Sequence, residues 1–211
     1  LIRTFNLDPL AHARARQGDP DVVCAPNGAR FSRSDAILPA LIDGFVERRE
    51  AAKARGDRHA DQAIKIKMNA LFGVLGAPAC RFFDPEIANA ITTFGQQTLL
   101  WTKAAFEAEG FTVLYGDTDS VFVKLTGDDA GPAACEEAQA LRAKVEAHVV
   151  ARVREQYRVE PKLTLELEHV LERFFMPRVR SGLGGSKKRY AGWVDGKLLV
   201  VGLESVRRDW P

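Results

Sequence analysis

Asp117 and Asp119 stand two residues apart in the run Tyr115-Gly116-Asp117-Thr118-Asp119-Ser120. Two carboxylates this close, at a glycine-marked turn, offer hard oxygen ligands to Mg²⁺, which binds through one or two carboxylates plus substrate phosphates. Two such ions can hold the attacking and leaving oxygens of a phosphoryl transfer. Asp and Ser are also ordinary turn residues, so the pair acquires meaning only from its surroundings. A calcium loop of the EF-hand kind does not fit. It requires more oxygen ligands and a Gly after Asp119, where Ser120-Val121-Phe122 follow instead.

Three further groupings could serve the same chemistry. Lys65, Asn69 and Phe72 are spaced i, i+4, i+7, so a helix sets a cation, an amide and a ring on one face. Such a face suits a nucleoside triphosphate, and it is equally what a solvated amphipathic helix looks like. Arg49 and Lys53, i and i+4 on the preceding helical stretch, come toward Lys65 if the two stretches fold as a hairpin. Lys187-Lys188-Arg189-Tyr190 follows Gly182-Leu183-Gly184-Gly185. A basic cluster with an aromatic suits nucleic-acid backbone and minor-groove contact, or else a charged edge strand. Glu166 and Glu168 fall on one face of an alternating segment, either beside the aspartates as a third carboxylate or in solvent.

The elements that must position these groups are legible in part. Phe111-Thr112-Val113-Leu114 and Val121-Phe122-Val123 flank the aspartates as strands of a hairpin. Residues 1–30 read as irregular, broken by Pro9, Gly18, Pro20, Pro26 and Gly28. A helix is expected from Ser34, as N-cap, to Ala54. A turn at Arg55-Gly56-Asp57 follows, then a second helix from near Asp61 to Leu75. Asp84-Pro85 opens a third helix that Gly110 closes. A fourth spans roughly Ala133 to Tyr157. Residues 162–169 alternate as a half-buried strand, and Asp195-Gly196 marks a last hairpin. The order predicts an α+β fold, with long helices covering one face of an antiparallel sheet and the first two helices projecting as a subdomain.

Composition bounds the partners. The 211 residues carry 30 Lys+Arg against 28 Asp+Glu, so nucleic-acid binding would rest on local patches rather than a global field. The three cysteines form no CxxC pair and no disulfide framework, in keeping with a reducing cytosol. No secretory signal pattern or apolar run of membrane-spanning length is present. The chain opens at Leu1 and stops at Asp209-Trp210-Pro211 without a closing element, so both ends read as cut from a larger protein.

The groupings recur in one order: Lys65-x-x-x-Asn69-Ala70-x-Phe72-Gly73, then Tyr115 to Ser120, then Leu165-Glu166-Leu167-Glu168, then Lys188-Arg189-Tyr190, then Gly202-Leu203-Glu204-Ser205-Val206-Arg207-Arg208-Asp209-Trp210. This resembles the palm and fingers of family B DNA polymerases over the whole chain, with bacterial members most similar through Gly73-Val74-Leu75-Gly76, Ala79 to Pro85 and Gly185 to Gly192. The resemblance implies palm at 1–30 and 81–205, fingers at 31–80 and the start of a thumb at 206–211. It implies Asp119 as the direct metal ligand, Asp117 in support and Glu168 as the accessory acid near two Mg²⁺ ions. Lys65, with Arg49 and Lys53, would hold the incoming dNTP. Asn69 and Phe72 would line the nascent base pair, and Lys188, Arg189 and Tyr190 would contact the primer–template duplex. A sliding clamp would bind through other parts of the parent enzyme, a cytoplasmic, nucleoid-associated protein. The family often has Ser-x-Tyr where Ala70 and Phe72 stand, so the tyrosine's ring is kept and its hydroxyl lost.

The family's first catalytic motif, with its own aspartate, lies upstream of the segment that Leu1 to Phe5 resembles, so this chain alone is expected not to polymerise. Two other readings compete. A non-catalytic nucleic-acid-binding module derived from a polymerase would need none of the acids. A nucleotidyl cyclase would lack Lys188-Arg189-Tyr190.

Overall fold

A computed structural model describes residues 1–127, 131–178, 188–194, 196–203 and 206. The elements in chain order are α1 (Ile2–Phe5), α2 (Pro9–Arg16), β1 (Val22–Cys24), β2 (Arg30–Ser32), α3 (Ile37–Ala54), α4 (Arg58–Gly76), α5 (Pro85–Ala108), β3 (Thr112–Asp117), β4 (Ser120–Lys124), α6 (Pro132–Tyr157), β5 (Arg173–Phe175), β6 (Tyr190–Val194) and β7 (Lys197–Val201). The mixture of long helices and antiparallel strands agrees with the predicted class. The single sheet does not. Among the described residues the strands form three separate antiparallel sheets, β1–β2, β3–β4 and β5–β6–β7. The chain divides into two compact units, residues 1–98 with 150–163, and residues 99–149 with 164–211.

The first unit is built around aromatic rings. Phe5 and Phe94 are fully buried and stack at 3.8 Å, and Tyr157 meets both edge-on at 5.1 and 5.3 Å. Each such pair adds about 0.5–1.5 kcal/mol beyond the area it buries. Residues 1–30 are not irregular here. Asp8 caps α2 by accepting from the Leu10 and Ala11 N–H groups, with Pro9 at the first helical position. Val23 and Phe31 pair across the β1–β2 hairpin with both side chains buried. The prolines and glycines that suggested an irregular stretch sit at the ends of, or in the joints between, short elements.

The helical hairpin forms as expected, with shifted starts. Helix α3 begins at Ile37 rather than Ser34, and its N-cap Ala36 has no side-chain cap bond. Helix α4 begins at Arg58, three residues before the expected Asp61, because Asp57 caps it through the Ala60 N–H. Gly56 at φ +71° makes the turn between them. Asp84 opens α5 by accepting from the Glu86 and Ile87 N–H groups.

The second unit rests on α5 and α6. Ala105 and Phe106 of α5 pack with Leu141, Val145 and Val149 of α6, and Val113, Val121, Val123 and Leu165 lie against this cluster. Residues 162–169 correct the reading of the sequence. Their burial alternates as a strand's would, yet they pair with no strand among the described residues. Side chains of α6 take the place of a ladder at Leu165: Glu146 accepts from its N–H at 2.7 Å and Arg142 donates to its carbonyl at 3.0 Å. Strand β5, which periodicity missed, pairs with β6, so β6 is the central strand of its sheet.

Candidate functional site

The acidic hairpin owes its orientation to one extra residue. Val113 pairs with Val123, and Tyr115 pairs with Phe122, so Leu114 is a bulge. Val113, Val121 and Val123 face the helices, while Tyr115 and Phe122 face away with ring centroids 5.7 Å apart. Strand side chains alternate, so an unbulged β3 would turn Tyr115 and Asp117 to the same face as Val113. With the bulge, Asp117 shares the aromatic face, opposite Ser120. Gly116 is therefore not the turn residue. It lies within β3 on the helix side, where a Cβ would meet Leu99 at ordinary contact distance.

The turn consists of Thr118 and Asp119. Thr118 has φ +55°, and the Asp119 N–H donates to the Asp117 carbonyl at 2.6 Å, the i to i+2 bond of a γ-turn. A β-branched residue seldom adopts positive φ, and the strain is about 1–2 kcal/mol. Strain of this kind collects where a side chain must be aimed. Asp119 is exposed at the tip and Asp117 half-buried below it.

The β5–β6–β7 sheet meets this hairpin through rings. Phe122 lies 5.2 Å from Phe174 and 4.9 Å from Tyr190. The Lys188 backbone N–H donates to the Tyr115 hydroxyl at 2.9 Å, and the Lys188 ammonium lies 3.6 Å from Asp117 Oδ2. Lys188 itself takes φ +59°. Gly202, at φ +61°, abuts its carbonyl, and a methyl group there would overlap the Lys188 oxygen. Burial first, then the charge of Glu168 and the neighbouring Tyr115, push the Tyr190 phenol above its ordinary range. Asp117, Glu168, Lys188 and Tyr190 are thus gathered in one region. Arg189, adjacent in sequence, is half-buried. The glycine-rich stretch 182–185 and Lys187 lie outside the described residues, as does most of 204–211.

These donors suit a hard cation in part. Among the described residues, the Asp117 and Asp119 carboxylates are met only by the adjacent Thr118 and Ser120 hydroxyls, at 3.3 and 3.4 Å, and by Lys188. Among the described residues no three His, Cys, Asp or Glu side chains gather into a ready metal cluster.

Arg49, Lys53 and Lys65 belong to the first unit. Arg49 pairs with Asp61 across the α3–α4 hairpin at 2.6 Å, and Lys53 pairs with Glu50 at 2.9 Å. Lys65 is one turn beyond Asp61, so Lys53, Arg49 and Lys65 spread along the hairpin over ~12 Å. A half-exposed pair such as Arg49–Asp61 contributes under about 1 kcal/mol, so the guanidinium is held in place without being locked. Lys65, Asn69 and Phe72 are exposed on α4. Asp61, Tyr115 and Gly202 were not singled out by the sequence. Each carried a signal of another kind: Tyr115 opens the aspartate run, Gly202 opens the last of the ordered groupings and Asp61 marked the expected start of a helix.

The model of DNA polymerase family B matches residues 4–211. The chain is 42% identical over 217 residues to DNA polymerase II of Escherichia coli, covering all of this chain and 28% of that protein. It is 31% identical over 225 residues to DNA polymerase 1 of Pyrococcus abyssi, covering all of this chain and 26% of that protein. Among solved structures, the family B DNA polymerase of Pyrobaculum calidifontis superposes with a TM-score of 0.64 at 28% identity, over 96% of this chain and 25% of that one. This chain belongs to DNA polymerase family B. It spans about a quarter of the length of these relatives. Among the described residues no helix is long and apolar enough to cross a membrane.

Proposed function

We propose that this chain is the palm and fingers part of a DNA-directed DNA polymerase that replicates or repairs DNA in the bacterial cytoplasm, at the nucleoid. Residues 1–30 and 81–205 form palm, 31–80 fingers and 206–211 the beginning of a thumb. A primer 3′-hydroxyl attacks the α-phosphate of a dNTP and pyrophosphate leaves. Two Mg²⁺ ions, when bound, supply positive charge at the attacking and leaving oxygens. Asp119 is the direct ligand, Asp117 supports it and Glu168 adds negative charge nearby. Lys65 neutralises the triphosphate with Arg49 and Lys53, Arg49 exchanging Asp61 for phosphate. Asn69 and Phe72 line the nascent base pair. Lys188, Arg189 and Tyr190 hold the primer–template duplex, and a sliding clamp is engaged through parts outside residues 1–211.

The observation that carries this reading is the junction of Lys188 with Asp117 at 3.6 Å and with Tyr115 at 2.9 Å. A polymerase needs its duplex-holding cations beside its catalytic acids, because both act at the primer end. A binding module has no use for the acids, and its cations would gain from their absence.

Lys65→Ala in the full-length polymerase tests the nucleotide site. Losing one charge-assisted contact to phosphate raises the dNTP KM by about ten- to a hundredfold, with primer–template affinity unchanged. An unaltered KM would overturn the nucleotide site proposed for this helical hairpin. Residues 1–211 alone are not expected to extend a primer. Two ions held about 3.5–4 Å apart need ligands from opposite sides, whereas Asp117 and Asp119 share one hairpin. Primer extension by the isolated 211-residue chain in excess Mg²⁺ would overturn this.

A further inference from the structure

Asp8 is 1% exposed, and both of its carboxylate oxygens are engaged. Oδ1 accepts from the Leu10 and Ala11 N–H groups at 2.7 and 3.2 Å, at the start of α2. Oδ2 accepts from the Leu38 N–H at 2.7 Å, in the first turn of α3. One side chain therefore caps two helices, and the partial positive charges of both N-termini converge on its negative charge. Helix α3 has no cap of its own, since Ala36 stands at its N-cap. Little apolar burial holds the helix down. Only Ile42 and Ala52 are buried along its 18 residues, while Ile37 and Leu41 are 64% and 43% exposed.

A second polar contact lies five residues on. Asp43 accepts from Arg3 of α1 at 2.6 Å and from Lys162 at 2.8 Å. The hydrogen bond from Lys162 first, and then Arg3, hold its carboxyl below the ordinary carboxylate range. The base of α3 is thus fastened by two carboxylates. The same helix carries Arg49 and Lys53, and through the turn at Gly56 it fixes where α4 carries Lys65.

We infer that Asp8 is a positioning residue for nucleotide binding: by capping α2 and α3 with one carboxylate, assisted by Asp43, it sets the direction in which α3 presents Arg49 and Lys53. This rests on the nucleotide role proposed for those cations. Asp8 does not touch the nucleotide. It acts by keeping a helix with little apolar anchorage from pivoting, which would misplace cations about three or four turns beyond Leu38.

The test uses Asp8→Asn in the full-length polymerase. A carboxamide has one acceptor oxygen and an NH₂ group, so it can serve one helix and must face the other with a donor. The variant is expected to speed backbone hydrogen exchange in 37–42 by about tenfold and to raise the dNTP KM by about five- to tenfold. Its kcat and primer–template affinity stay near those of the parent. Asp43→Asn, at a half-exposed side chain, is expected to act in the same direction and covers the case in which the Asp8 variant does not fold. Unchanged exchange in 37–42 would overturn the inference, and so would faster exchange with an unchanged KM, which marks a cap and nothing more. Lys65→Ala separates the two levels. If it raises the KM and neither aspartate variant does, the inference fails and the nucleotide reading stands. If it too leaves the KM unchanged, the nucleotide reading fails and takes the inference with it.

Discussion

Asp119→Asn in the full-length polymerase lowers the single-turnover rate of nucleotide incorporation by at least about 10²-fold, the scale on which a preorganised electrostatic partner of a transition state is lost. Primer–template affinity stays close to that of the parent. The two expectations follow from where the residue sits. Asp119 is exposed at the tip of the β3–β4 turn, and among the described residues its carboxylate meets only the Ser120 hydroxyl, at 3.4 Å. An amide keeps the shape and removes a unit of negative charge. A surface change of this sort alters folding stability by no more than about 0.5 kcal/mol, so a lost rate cannot be charged to a lost fold. Asp117→Asn is a less clean probe, because Asp117 also pairs with Lys188, and its loss would disturb duplex contact and metal binding together. A near-normal single-turnover rate for Asp119→Asn would end the assignment of the turn as a metal site.

Gly202→Ala has the largest expected effect on stability. Positive φ carries about 1–2 kcal/mol for a residue with a Cβ, and overpacking adds about 1–3 kcal/mol. The sum, about 2–5 kcal/mol, is a large part of a typical domain's stability. The overlap falls on the Lys188 carbonyl. Lys188 is already in the left-handed region and tied by its N–H to Tyr115, so it has little room to move without releasing Asp117. Gly196→Ala supplies the control. Gly196 has φ +73° with open space around it, so its substitution carries backbone strain without overlap. Thermal unfolding of both variants isolates the overlap. Gly202→Ala is expected to unfold at the lower temperature and to bind primer–template less tightly. Equal melting temperatures and parental DNA affinity would show that the Lys188 carbonyl yields freely.

Long elements were legible in the sequence because each carries many repeats of its own period and a marked end. Asp84-Pro85 and Gly110 bracket α5 to within a residue or two, and Asp195-Gly196 marks the β6–β7 hairpin, whose Gly196 has the positive φ such a turn requires. Three-residue strands hold less than two periods of alternation, so β1, β2 and β5 were invisible. The α3 boundary failed for another reason. Ser34 looks like a cap, but the cap is Asp8, 30 residues upstream of the N–H it receives. Residues 162–169 alternate because Leu165 packs on the helices, and packing alone produces that pattern without a neighbouring strand. In the candidate site, Asp117, Lys188 and Tyr190 were identifiable as types. Their meeting was not, because it depends on Tyr115, Phe122 and Phe174 packing across two sheets.

Leu114 gives the acidic hairpin an odd arithmetic. Its side chain is 49% exposed, so the identity of the residue is nearly free. Its existence is not: it is the spacer that shifts the phase of everything between Val113 and the turn. Related chains should therefore tolerate almost any amino acid at this position and almost no deletion of it. The aspartate that follows is aimed by a count of residues rather than by a contact.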